Sequence, residues 1–146
     1  MKKYILLLIV PFLSFNTEAQ IGMSFEEVVD SYGENYEQLD KSFLGDIHDF
    51  GISYRDDYEN GGWSAMACIF SKLDKRDVCV EVWIAEDRAR INYWIKKLRE
   101  EQLVEEKMSK DKEGRDVYLW KDYSNKVQHE ITVDDESILY IKSVFF

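Results

Sequence analysis

Apolar residues beyond residue 20 first recur at helical spacing, with Phe25, Val28, Val29 and Tyr32 on one face. Ser24 stands at the N-cap. Glu27, three residues on, can return a bond to the Ser24 amide as a capping box, and Met23 before the cap can pack on Val28. Gly33 supplies a left-handed stop, so the pattern predicts a helix over residues 25–32. From Glu34 to Asp49 the pattern is weaker. Tyr36, Leu39, Phe43, Leu44 and Ile47 keep a roughly helical spacing that Gly45 interrupts, and the segment reads either as a second short helix or as an ordered loop.

The period then changes to two. Phe50, Ile52 and Tyr54 alternate with small or polar residues as in a strand, and Asp56 to Gly62 reads as an acidic turn. Two further strands follow. A turn at Lys72 to Lys75 sets Ile69 opposite Val78, Ala67 opposite Val80, Ala65 opposite Val82 and Trp63 opposite Ile84, which makes one face wholly apolar. The same register faces Cys68 with Cys79, and directly opposed residues with Cα atoms about 4.5 Å apart can carry a disulfide. Met66, Cys68, Cys79, Glu81 and Trp83 fall on the other face. If no helix covers that face, Trp83 with Met66 beside it forms an exposed aromatic patch, the candidate binding site.

A second helix is expected from Asp87 to Gln102, with Ile91, Trp94, Ile95 and Leu98 as its core stripe. Glu105 to Arg115 is a polar segment. Strands follow at 117–121, 126–133 and 138–145, joined by turns at Asp122 to Asn125 and Asp134 to Ser137. The last strand is apolar on both faces and belongs inside the sheet. The order of elements predicts an α+β fold, an antiparallel sheet of about six strands with two or three helices packed on one face.

The N-terminus adds an address. Lys2 and Lys3 precede an apolar run from Tyr4 to Phe15, and Thr17 and Ala19 occupy the small-residue positions of a signal-peptidase site. Residues 1–19 are read as a signal peptide cleaved after Ala19, and 20–146 as a single domain in the periplasm or outside the cell, with no membrane span once the leader is removed. In such an oxidising compartment Cys68 and Cys79 are expected to be bonded. The chain has 19 basic and 29 acidic residues, a net charge of −10; removing residues 1–19 leaves 17 and 28. That balance argues against a nucleic-acid partner and is explained better by a cationic partner, such as a basic protein, or by mere solubility. No internal repeat or low-complexity tract interrupts the domain.

Candidate chemistry is sparse. His48 and His129 are the only histidines and share no ligand spacing, so neither a metal nor a cofactor is expected. Asp46 and Asp49 flank His48 in what reads as an acidic surface loop, and His129 falls opposite Lys142 as an ordinary strand residue. Asp56 to Gly61 fails as a calcium loop, because Tyr58 and Ala67 occupy its third and twelfth places. No nucleophile elbow or phosphate loop is present, and no catalytic residue is assigned.

The segment Gly22-Met23-Ser24-Phe25-Glu26-Glu27-Val28, running on to Gly33, resembles the G-M-[ST]-x-x-[EQ]-V opening helix of small outer-membrane assembly lipoproteins and of β-lactamase-inhibitor-like secreted proteins. The resemblance implies a helix packed on an antiparallel sheet and a role in binding proteins. It carries over no binding residues: the lipid-bearing cysteine of the first group is missing, and the opening motif occurs once where the second group has it twice. The expectation is therefore an exported, non-enzymatic protein-binding module of inhibitor or immunity type. The alternative is a small secreted hydrolase using a carboxylate or histidine site.

Overall fold

The computed structural model describes residues 21–101 and 105–145; the expected signal peptide and its cleavage point lie outside the described residues. Helix α1 spans Phe25–Tyr32 and is closed by the expected box, with Ser24 N–H donating to Glu27 Oε2 at 2.8 Å and Glu27 N–H to Ser24 Oγ at 3.2 Å. Gly33 at φ +96° ends it, its amide bonded to the Val29 carbonyl. Strand β1 is the short pair Glu37–Gln38. Helix α2, Lys41–Leu44, is capped by Asp40 and stopped by Gly45 at φ +64°, which resolves the ambiguous segment in favour of a short helix.

Strand β2 spans Phe50–Asp57, β3 Trp63–Leu73 and β4 Arg76–Asp87. A 3-10 turn over Arg88–Arg90 leads into helix α3, Ile91–Glu100. The remaining strands are β5, Glu105–Lys110; β6, Asp116–Asp122; β7, Val127–Val133; and β8, Ser137–Val144. All pairings are antiparallel, in the order β1-β2-β3-β4-β8-β7-β6-β5. This corrects the α+β expectation: the molecule is mostly one eight-stranded sheet with few helices. The extra strands come from Glu37–Gln38 and from the polar segment at Glu105, neither of which alternates apolar with polar. The topology also echoes itself where the sequence does not: a helix precedes four strands in each half, with α2 inserted between β1 and β2 in the first, and the halves join where β4 pairs β8.

The hairpin register differs from expectation. Its turn is the two-residue pair Asp74 (φ 48°) and Lys75 (φ 68°), so Leu73 faces Arg76 and Phe70 faces Cys79. Tight hairpins favour such a turn because its twist matches that of the flanking strands. Beyond this point Ile69 faces Glu81, which leaves Val80 as the extra residue of a bulge. Cys68 therefore stands opposite Val82, not opposite Cys79. Met66, Cys68 and Phe70 face the helices together with Val82 and Ile84.

The core lies between this face and the helices. Val28 of α1 is fully buried, and Phe25 sets its ring edge-on against Phe50, Phe70 and Tyr36. Trp94 of α3 stacks on Tyr140 at 4.5 Å and donates its indole N–H to Glu86 Oε2 at 2.7 Å. Tyr140 also shares a 2.7 Å hydrogen bond with Nδ1 of His129, which is buried opposite Lys142. Burial first, then the Lys142 ammonium, hold the His129 imidazole down to about 4, against an opposing pull from Asp122 and with a lesser push from Lys97.

Because the unfolded imidazole takes its proton near 6.5 and the native one only near 4, the unfolded chain binds more protons between these values. Stability is complete above pH 6.5 and falls below it, by about 2 kcal/mol at pH 5. Urea midpoints measured from pH 7 to 5 should show this slope, and His129→Gln should flatten it. An unchanged slope in that variant would mean that the ring titrates as it does in water.

Candidate functional site

An antiparallel sheet turns facing residues to the same side, so the observed register sorts every strand into two faces. Of the described helices, α1 and α3 pack on one face, and only α2 touches the other. On that second face the ladders align Ala67, Trp83, Ile141, Glu130 and Leu119 in one row, and Ala65, Ala85, Leu139, Thr132 and Val117 in the next. Ala67 is buried and the other nine are half-buried. The result is a continuous, largely apolar band across the middle of the sheet, open on its outer side.

One end of this band is covered by residues 39–49. Leu39 and Leu44 pack on Ala67, Ile69 and Trp83, and they can do so because β2 carries Gly51 beneath them. A Cβ on Gly51 would come within 2.9 Å of Leu39 Cδ1 and 3.0 Å of Ile69 Cδ1. Here glycine serves close approach, as its position inside a strand suggests. Polar bonds fasten the same segment: Asp49 Oδ2 accepts from the Lys72 amide at 2.7 Å, and the Asp49 amide donates to the Phe70 carbonyl.

His48 completes the clasp. Its Nδ1 lies 3.1 Å from Ser71 Oγ and its Nε2 3.4 Å from Glu81 Oε2, while Glu81 Oε1 accepts the Trp83 indole N–H at 2.5 Å. Serine, imidazole and carboxylate thus stand in the order of nucleophile, base and orienting acid. The amide of Lys72, next to Ser71, already donates to Asp49, so it does not offer itself to a developing oxyanion. Sequence reading missed Ser71 and the link to Glu81, because residue 48 and the end of β3 meet only through the fold.

The opposite end of the band opens into a cleft of about 500 Å³ lined by Trp63, Asp87, Arg88, Asp135, Glu136 and Ser137. Trp63, expected on a core face, is half-buried here with the Arg55 guanidinium 5.4 Å from its ring centroid. Arg55 is itself held by Asp57 at 2.9 Å, which raises the guanidinium and lowers the carboxyl from their ordinary values. The cleft is therefore rimmed mainly by carboxylates.

The two residues of the expected binding patch are separated. Trp83 lies on the open face beside the α2 segment, whereas Met66 is 1% exposed on the helix side. The bulge at Val80 explains this: Cys79 and Val82 both face the helices, and the residues that would have accompanied Trp83 in an uninterrupted ladder are drawn into the core. Among the described residues no three His, Cys, Asp or Glu side chains converge as a metal would require. Asp56 and Asp57 belong to β2 and form no loop. Compared with family models, curated proteins and solved structures, the chain matches none.

Proposed function

We propose that this chain is an exported protein-binding module of inhibitor or immunity type, which docks a basic protein on the open face of its sheet. The observation that carries the reading is the apolar band that runs from Trp83 through Ile141 and Leu139, over most of which no helix of the described residues is laid. The band runs across five strands at about 4.8 Å spacing, about 19 Å between its outer strand axes. The ~800 Å² per partner of a stable protein interface is reached when the polar residues around the band take part.

Charge selects the occupant. The chain carries a net charge of −10, and Glu130, Asp87, Asp135 and Glu136 stand on or around the open face. Lys96, Lys97 and Arg99 sit on α3, which covers the other face, while Arg88 lines the same cleft and Lys107, in register with Leu119, belongs to the open face. A partner with lysines or arginines around an apolar centre gains both contacts, and opposite charge speeds the encounter.

The test is affinity capture from the source envelope and medium with mature protein, residues 20–146, repeated with Leu139→Lys and, as a milder second variant, Thr132→Arg. The expected outcome is one stoichiometric basic partner, released by salt and bound at least tenfold more weakly by both variants while their circular dichroism is unchanged. No partner, or one indifferent to both substitutions, would overturn the reading.

The order Ser71, His48, Glu81 favours a second reading, an acyl-ester hydrolase. Ser71 Oγ would attack the ester carbonyl and expel the alcohol as His48 moves the proton, and water would then release the acid from Ser71. A fluorophosphonate probe should label Ser71 in the native protein and fail to do so in His48→Ala. Absence of labelling in the native protein would remove this reading.

A further inference from the structure

Two cysteines in adjacent strands lie in the core beneath α1. Cys68 and Cys79 are 0% and 1% exposed and belong to the same cluster as Val28 and Phe70. They are diagonal neighbours across the bulge: Cys79 faces Phe70, and Cys68, two residues along β3, points to the same side. Their thiols hydrogen-bond to each other, and Cys79 Sγ also lies 3.5 Å from the Glu81 carbonyl oxygen. That thiol pairing, with burial, pushes the Cys68 thiol far above its ordinary range. A thiol so held offers no thiolate for catalysis or for metal.

The N-terminal segment closes over this site. The Gly22 amide donates to the Cys79 carbonyl and the Cys79 amide to the Met23 carbonyl, both at 2.8 Å, and Ser24 bridges Val78. The Cys79 amide and carbonyl are thus both taken by the segment that leads into α1, on the edge of β4 away from β3. An oxidant reaches the sulfurs only while this segment is undocked.

We infer that Cys68 and Cys79 are joined as a disulfide across the bulge, formed by exchange with an external disulfide before the Gly22 to Tyr32 segment docks. One cysteine thiolate of the open chain attacks the external disulfide, forming a mixed disulfide and releasing one thiol. The second cysteine thiolate then attacks the protein sulfur of that mixed disulfide and releases the other. Two protein thiols lose two protons and two electrons, and the donor disulfide is reduced to two thiols.

The experiment uses mature protein, residues 20–146, and oxidised glutathione as the donor. Reduced, denatured chain refolded with glutathione and oxidised glutathione should weigh two hydrogens less than the dithiol and yield a crosslinked Cys68–Cys79 peptide. Chain folded first under a phosphine reductant, then freed of it and given the same oxidised glutathione, should oxidise at least tenfold more slowly. Adding the reductant to the oxidised protein should lower its urea midpoint while leaving that of Cys68→Ala/Cys79→Ala, or of the larger Cys68→Val/Cys79→Ala, in place. Two alkylatable thiols after refolding with oxidised glutathione, or glutathione adducts without the crosslink, would overturn the bond. Equal oxidation rates from the folded and unfolded chains would overturn the order of events.

Discussion

The bulge at Val80 decides which side chains of this sheet meet the helices and which do not. An uninterrupted β4 would place Glu81 and Trp83 on the same side as Cys79, beneath α1, and would turn Val82 and Ile84 outward. Burying Glu81 there without a partner would cost several kcal/mol. One extra residue resets the alternation, so that Cys79, Val82 and Ile84 enter the core and Glu81 and Trp83 leave it. Because β4 pairs both β3 and β8 at the centre of the sheet, that choice passes from strand to strand through every ladder.

From this sorting the asymmetry of the molecule follows. Both longer helices find their apolar surface on one face, where Trp94, Tyr140 and Phe25 assemble the aromatic core. The other face keeps an apolar centre because its strands are rich in alanine, leucine and isoleucine at the outward positions, and it is closed only where Gly51 lets Leu39 and Leu44 settle on it. The clasp of His48 on Ser71 and Glu81 holds that cover in place and fixes Trp83 beside it. An apolar face built on paired strands is rigid, so docking there, as proposed, would cost little ordering entropy.

Elements whose residues act locally were legible from the residues alone: α1 with its capping box, the stripe of Trp94 and Leu98, and an apolar last strand that proves to lie between β4 and β7. The pairing of His129 with Lys142 could also be read, because a short hairpin leaves one register. What depends on a neighbour was not legible. Strand β5, with the sequence Glu-Glu-Lys-Met-Ser-Lys, carries no alternation and forms because β6 offers it a free ladder; its charges suit an edge. Asp74-Lys75 lacks the Asn-Gly or Asp-Gly signal of a two-residue turn, so the expected turn stands one residue too early in the chain. That error, compounded by an unsignalled bulge, placed Met66 with Trp83 and Cys68 opposite Cys79.

The register of β3 on β4 therefore sets both faces of the sheet, and cross-strand proton contacts in the isotopically labelled chain, residues 20–146, measure it most directly. Contacts joining Phe70 to Cys79, Cys68 to Val82 and Ala67 to Trp83 are the predicted result. Contacts joining Ile69 to Val78 and Ala67 to Val80 would contradict it: the ladder would then run without the bulge, the two faces would exchange residues, and the open band around Trp83 would not exist.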